Sequence, residues 1–128
     1  MELDYTKSTE KPYAQAVKAV TDAAAAHGYR VQFVHDVAQT LAERGFEREP
    51  VTIVEMCNAK YASQVLAADV KIGLMLPCPI MVYAEKGEVF ITTMRARLIA
   101  DLFPDADISA VSAQVERVLT DVVDTAAG

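Results

Sequence analysis

The chain has 128 residues, a formal charge of −6 and 52% apolar side chains, which specifies one folded domain over 1–128 with a core large enough to stand without disulfide or metal staples. Its 23% charged residues exclude a disordered or fibrous chain, and acidity with twelve scattered Lys and Arg argues against a nucleic-acid partner, which needs clustered cations. No apolar run reaches the roughly 18 residues of a membrane helix, and "MELDYTKSTEKPY" is acidic and polar where a secretory signal is basic and then apolar, so a cytoplasmic protein with no membrane partner is expected.

Residues Leu3 to Lys7 alternate apolar and polar, predicting a short half-buried strand. Ser8 or Thr9 is placed to cap the helix that follows, with Pro12 in its first turn. Tyr13, Ala16, Val17, Val20, Ala23 and Ala24 recur at three- and four-residue spacing, which gives that helix a core-facing stripe, and Gly28 ends it with His27 against its C-terminus. "YRVQFV" predicts a strand with Tyr29, Val31 and Phe33 on one face. Asp36 and Gln39 form a capping box for the short helix "DVAQTLAERG", stopped by Gly45. A third strand runs from Val51 to Cys57, with Val51, Ile53, Glu55 and Cys57 on one face and Val54 and Met56 on the other. Asn58 caps the next helix, whose apolar side is Tyr61, Val65 and Leu66.

"IMVYAEKGEVFITTM" predicts a hairpin turning at Lys86-Gly87, where glycine supplies positive φ. "RARLIADLF" is a short helix ended by Pro104, with Arg95 and Arg97 on a solvated face. Asp107 or Ser109 then opens a last helix with Val111, Val115, Val118, Leu119 and Val122 as its stripe. A hairpin with segregated helices, rather than regular βαβ alternation, predicts an α+β two-layer sandwich: a mostly antiparallel sheet with helices packed on one face.

The succession of "STEKPYAQAVKAVTDAAAAHGYRV", "HDVAQTLAERGFE", "VTIVEMCNAKYASQVL" and "LPCPIMVYAEKGEVFITTM" resembles the family catalogued as domain of unknown function 302. The resemblance runs to about Met94 and rests on a strand ending in Cys57-Asn58 before a helix, and on Leu76-Pro77-Cys78 opening the hairpin. The family often has Pro after that Asn, where this chain has Ala59, a residue equally suited to a first helical turn. The resemblance implies a small α+β fold with helices backing an antiparallel sheet, paired as a homodimer, and it implies no reaction.

Chemistry therefore has to come from the residues themselves. If the Cys57 and Cys78 strands are antiparallel neighbours, the two thiols share one sheet edge, and with Asn58, Glu55 and Pro77 they form the candidate ligand or thiol site. In a reducing compartment such cysteines are expected free, ligating or catalytic rather than permanently bridged. A bridge would close a loop of about twenty residues, worth roughly 3 kcal/mol in the chain-entropy picture. The helix after Cys57 favours its thiolate while Glu55 opposes it, so the net shift has no sign from sequence. The ordinary reading of Glu55 is a carboxylate on a strand end that reaches water. Cys78, flanked by Pro77 and Pro79, is held extended, a stiffness that suits a ligand or nucleophile and equally the start of a strand at a sheet edge.

The expected function is a non-catalytic or weakly catalytic module holding a small molecule or a sulfur-bearing partner at this edge, by contact or through a thiol or redox step. Against it stands a purely structural homodimer with buried packing cysteines. A third reading is soft-metal binding of the Cu(I) type with Met56, Met75 and Met81. Zinc is disfavoured by the absence of a C-x-x-C pair and by the distance of His27 and His35 in sequence. A Cys57–His35 nucleophile and base is arithmetic only. No nucleotide, dinucleotide, hydrolase-elbow or zincin motif is present, so no cofactor and no metal is assigned.

Overall fold

Five strands pair into one antiparallel sheet of order β1-β5-β4-β3-β2 in a computed structural model that describes residues 2–128. In chain order the elements are β1 (Asp4–Thr9), α1 (Tyr13–Ala26), β2 (Arg30–Asp36), α2 (Val37–Ala42), β3 (Val51–Cys57), α3 (Ala59–Ala68), β4 (Cys78–Glu85), β5 (Glu88–Met94), α4 (Arg97–Leu102) and α5 (Ser109–Ala127), with 3₁₀ turns at Val70–Met75 and Pro104–Ala106. The architecture is the expected α+β sandwich.

Strand alternation decides what each face carries. Thr52, Val54 and Met56 of β3 lie opposite Val82, Ile80 and Cys78 of β4, and Val82 and Ile80 lie opposite Ile91 and Thr93 of β5. This face meets α1 and α5, whose stripes Ala16, Val20, Ala23 and Ala24 and Val115, Leu119, Val122, Val123 and Ala126 complete the main core. A smaller cluster of Val65, Ile72, Ile99 and Ile108 sits beside it under the 3₁₀ turn Val70–Met75. The other face carries Val51, Tyr83 and Phe90 in one row and Ile53, Met81 and Thr92 in the next.

Local signals set most boundaries. Asp36 Oδ1 accepts the Gln39 N–H at 3.0 Å at the start of α2, and Asn58 Oδ1 accepts the Tyr61 N–H at 3.2 Å at the start of α3. The β4–β5 turn places both Lys86 and Gly87 at positive φ, the mirror-image turn whose twist matches the strands it joins. His27 Nδ1 lies 2.7 Å from the Ala23 carbonyl at the end of α1.

Four expectations are corrected. Ser8 and Thr9 do not cap α1: β1 continues through both, and the Thr9 hydroxyl donates instead to the Ala127 carbonyl at 2.9 Å. Phe33 does not share a face with Tyr29 and Val31, because the ladder shifts between Val31 and Phe33; the extra residue reverses the alternation and leaves Phe33 56% exposed. Neither Asp107 nor Ser109 caps α5 through its side chain. Finally, β4 is the central strand, not an edge. Pro77 and Pro79 sit at its end, where the ladder to β5 begins only at Ile80.

Candidate functional site

Both cysteines border one cavity because β3 and β4 are antiparallel neighbours. Met56, one residue before the end of β3, lies opposite Cys78, the first residue of β4. The chain between them leaves through α3 and the 3₁₀ turn and returns through a cis Leu76–Pro77 bond. That excursion folds over the strand ends and roofs a cavity of about 30 Å³. Its walls are Tyr29, Cys57, Asn58, Tyr61, Ala62, Val65, Ile72, Leu76, Cys78, Ala96, Ile99, Ser112 and Val115, none of them charged.

Tyr29 is delivered to this cavity by the end of α1. Gly28 takes φ +84°, a left-handed value that costs glycine little, and the Tyr29 N–H then donates back to the Ala24 carbonyl at 2.9 Å. The Asn58 side chain clamps the same turn, with Nδ2 donating to the Gly28 carbonyl at 3.1 Å while Oδ1 caps α3. One residue thus locks the Tyr29 turn to the helix that begins after Cys57. The Tyr29 ring, 4% exposed, lies with its centroid 6.3 Å from that of Tyr61. Its hydroxyl is buried and has no hydrogen-bond partner among the described residues.

The electrostatics follow from burial. Both thiols are free. Burial, and secondarily the neighbouring Cys57, pushes the Cys78 thiol up to about 11, so at neutral pH it stays protonated. The Tyr29 phenol is likewise pushed above its ordinary value, by burial first and then by Cys78, Tyr61 and Cys57. The cavity is therefore a neutral, apolar chamber with weakly acidic O–H and S–H groups in its wall.

Of the residues singled out from sequence, Cys57, Cys78 and Asn58 line the cavity and Glu55 and Pro77 do not. Glu55 lies on the other face of the sheet, opposite Pro79 and Phe33. Pro77 is flanked by two lining residues. The three methionines do not converge: Met56 is in the core, Met75 packs in the smaller cluster and Met81 lies on the far sheet face. No group of three or more His, Cys, Asp or Glu side chains is placed to hold a metal among the described residues. His35 is opposite Ile53, five residues along β2 from Arg30, the partner of Cys57, or about 16 Å at strand rise. Sequence reasoning missed Tyr29, Tyr61, Ser112, Ile72 and Ile99. A buried tyrosine lacking a partner has no signature in a linear sequence.

This geometry defines a class: a five-stranded antiparallel sheet backed by helices, with an uncharged cavity at the end of its central strands. The family profile described as "Domain of unknown function DUF302" matches residues 5–126. The chain belongs to that family, and the match extends past Met94 through most of α5. Among solved structures, the "uncharacterized conserved protein DUF302 from Bacillus stearothermophilus" superposes with a TM-score of 0.93 at 24% identity, covering 98% of this chain and 99% of the other. That likeness shows a shared fold. No curated protein matches. No helix among the described residues is long and apolar enough to cross a membrane.

Proposed function

We propose that this chain is a binding module for a small molecule, seated in the cavity at the Cys57/Cys78 end of the sheet. One observation carries the reading: the buried Tyr29 hydroxyl, without a partner among the described residues, in an otherwise apolar chamber. Such a group costs about 1–3 kcal/mol, and native proteins keep few of them without something to complete the bond. Binding is favoured over sulfur transfer or disulfide cycling because Cys78 is held protonated, and a thiol attacks as its thiolate. The thiols then serve as soft wall and weak donors, and free thiols fit a reducing cytoplasm.

The test is native-state reaction of the thiols with a chromogenic disulfide reagent from pH 5 to 9, combined with native mass spectrometry of the protein as isolated. Cys78 should stay unreactive until the protein is unfolded, and a non-covalent adduct should accompany the folded chain. Rapid reaction of Cys78 at neutral pH would replace this reading with a redox or sulfur-carrying thiol site.

A second reading concerns assembly. The sheet face opposite α1 and α5 carries a half-buried strip of Ile53, Met81, Tyr83 and Phe90. Apolar strips of this kind are buried by pairing, and a two-fold homodimer is the commonest arrangement.

A further inference from the structure

Taking the cavity to be the ligand seat, we infer that it selects a neutral molecule presenting a single hydrogen-bond acceptor to the Tyr29 hydroxyl. Three observations define that class. The unmet group is a phenol, whose proton is the stronger half of its hydrogen-bonding capacity because the oxygen lone pair is drawn into the ring. The Cys78 S–H beside it is a further weak donor, and Asn58 has already committed its carbonyl oxygen and one amide proton to Tyr61 and Gly28. Apart from the hydroxyls of Ser112 and Tyr61, which donate as well as accept, the wall therefore offers protons and asks for an acceptor.

Charge is excluded by the lining. No Lys, Arg or His side chain among the described residues borders the cavity, so a carboxylate or phosphate would be desolvated with no counter-ion, a cost that an uncharged carbonyl avoids. Size is bounded too. The chamber measures about 30 Å³, and a water requires roughly 10–15 Å³ of such space. The buried part of the ligand is then about two or three water-sized groups, such as a carbonyl or similar acceptor with one or two methyls, against the apolar side chains of Val65, Ile72, Ile99 and Val115.

The proposal is tested by amide chemical-shift titration of the full chain with three molecules of nearly one shape: acetone, 2-methylpropene, which lacks the acceptor, and acetate, which adds a charge. Acetone should shift the amides of Tyr29, Tyr61, Cys78 and Ser112 saturably, at least about fivefold more tightly than 2-methylpropene, with acetate absent from the cavity. Tyr29→Phe should weaken acetone by about five- to tenfold and leave 2-methylpropene within about twofold. Equal binding of acetone and 2-methylpropene, unmoved by Tyr29→Phe, would overturn the acceptor rule while keeping the cavity as a ligand seat. Acetate binding at the same amides would overturn neutrality. If none of the three reaches those amides, the seat itself fails, and the proposed function with it. Should Tyr29→Phe not fold, the comparison of acetone with 2-methylpropene in the unaltered protein still decides.

Discussion

Burial fixes the chemistry of Cys78. The same thiol in an unfolded chain ionises near pH 9, but behind α3 and the 3₁₀ turn it does so only at about 11. A raised value on an acid means the unfolded state releases its proton first. The stability is fully present below about pH 9 and is lost as pH climbs toward 11. Two pH units correspond to about 2–3 kcal/mol. Tyr29 and Tyr13, both shifted upward with burial as the main cause, act in the same direction above about pH 10. Urea unfolding at pH 8 and at pH 11 checks this: the native chain should lose about 2 kcal/mol more over that interval than Cys78→Ala. Parallel losses would mean that the thiol ionises freely in the folded protein. The presence of Cys78 was legible in the sequence, but its protonation state was not, because the groups that desolvate it come from distant segments.

At the scale of elements, Asn58 does two jobs that differ in how visible they are. Its cap on α3 is legible, since Asn before an apolar helical stripe is a start signal. Its bond to the Gly28 carbonyl, thirty residues away, is not. The two are separable by substitution. Asn58→Ala removes both and should cost about 1–2 kcal/mol, whereas Asn58→Asp keeps the cap and should cost clearly less. Chemical denaturation of the pair measures the difference, and equal losses would show that the Gly28 tie, not the cap, is what matters. The Lys86-Gly87 hairpin and the Asp36 cap were equally legible because their partners lie within a few residues. Phe33 was misplaced for the opposite reason. One extra residue in β2 reverses every later side chain, and nothing in "YRVQFV" marks it.

For the whole molecule, the open sheet face carries the prediction. If Ile53, Met81, Tyr83 and Phe90 form a two-fold interface, light scattering at micromolar concentration should give about twice the chain mass of 13.9 kDa, and Met81→Glu should reduce it to one. The charge would be stranded among apolar side chains at the interface, while in the monomer it faces water. A single-chain mass for the unaltered protein sinks the idea. The cavity lies at the end of the central strands, walled on the helix-bearing side by α3, α4 and α5 residues. Pairing through the far face would leave it in place, so Met81→Glu should not alter acetone binding.

Legible in the residues alone were the local facts: which segments are helix or strand, where Asn58 and Asp36 cap, where the chain reverses, and that two cysteines close and open strands in a pattern matching the family. These depend on periodicity, caps and turn residues, whose physics acts over a few residues. It took strand order and helix packing to make β4 central, to part Cys57, which lines the cavity, from Glu55, which does not, and to gather Tyr29, Tyr61, Ile72, Ile99 and Ser112 around Cys57 and Cys78. Strand order and helix packing bring together residues more than eighty positions apart, and a hydroxyl becomes a buried, unpartnered group only when distant segments have closed around it.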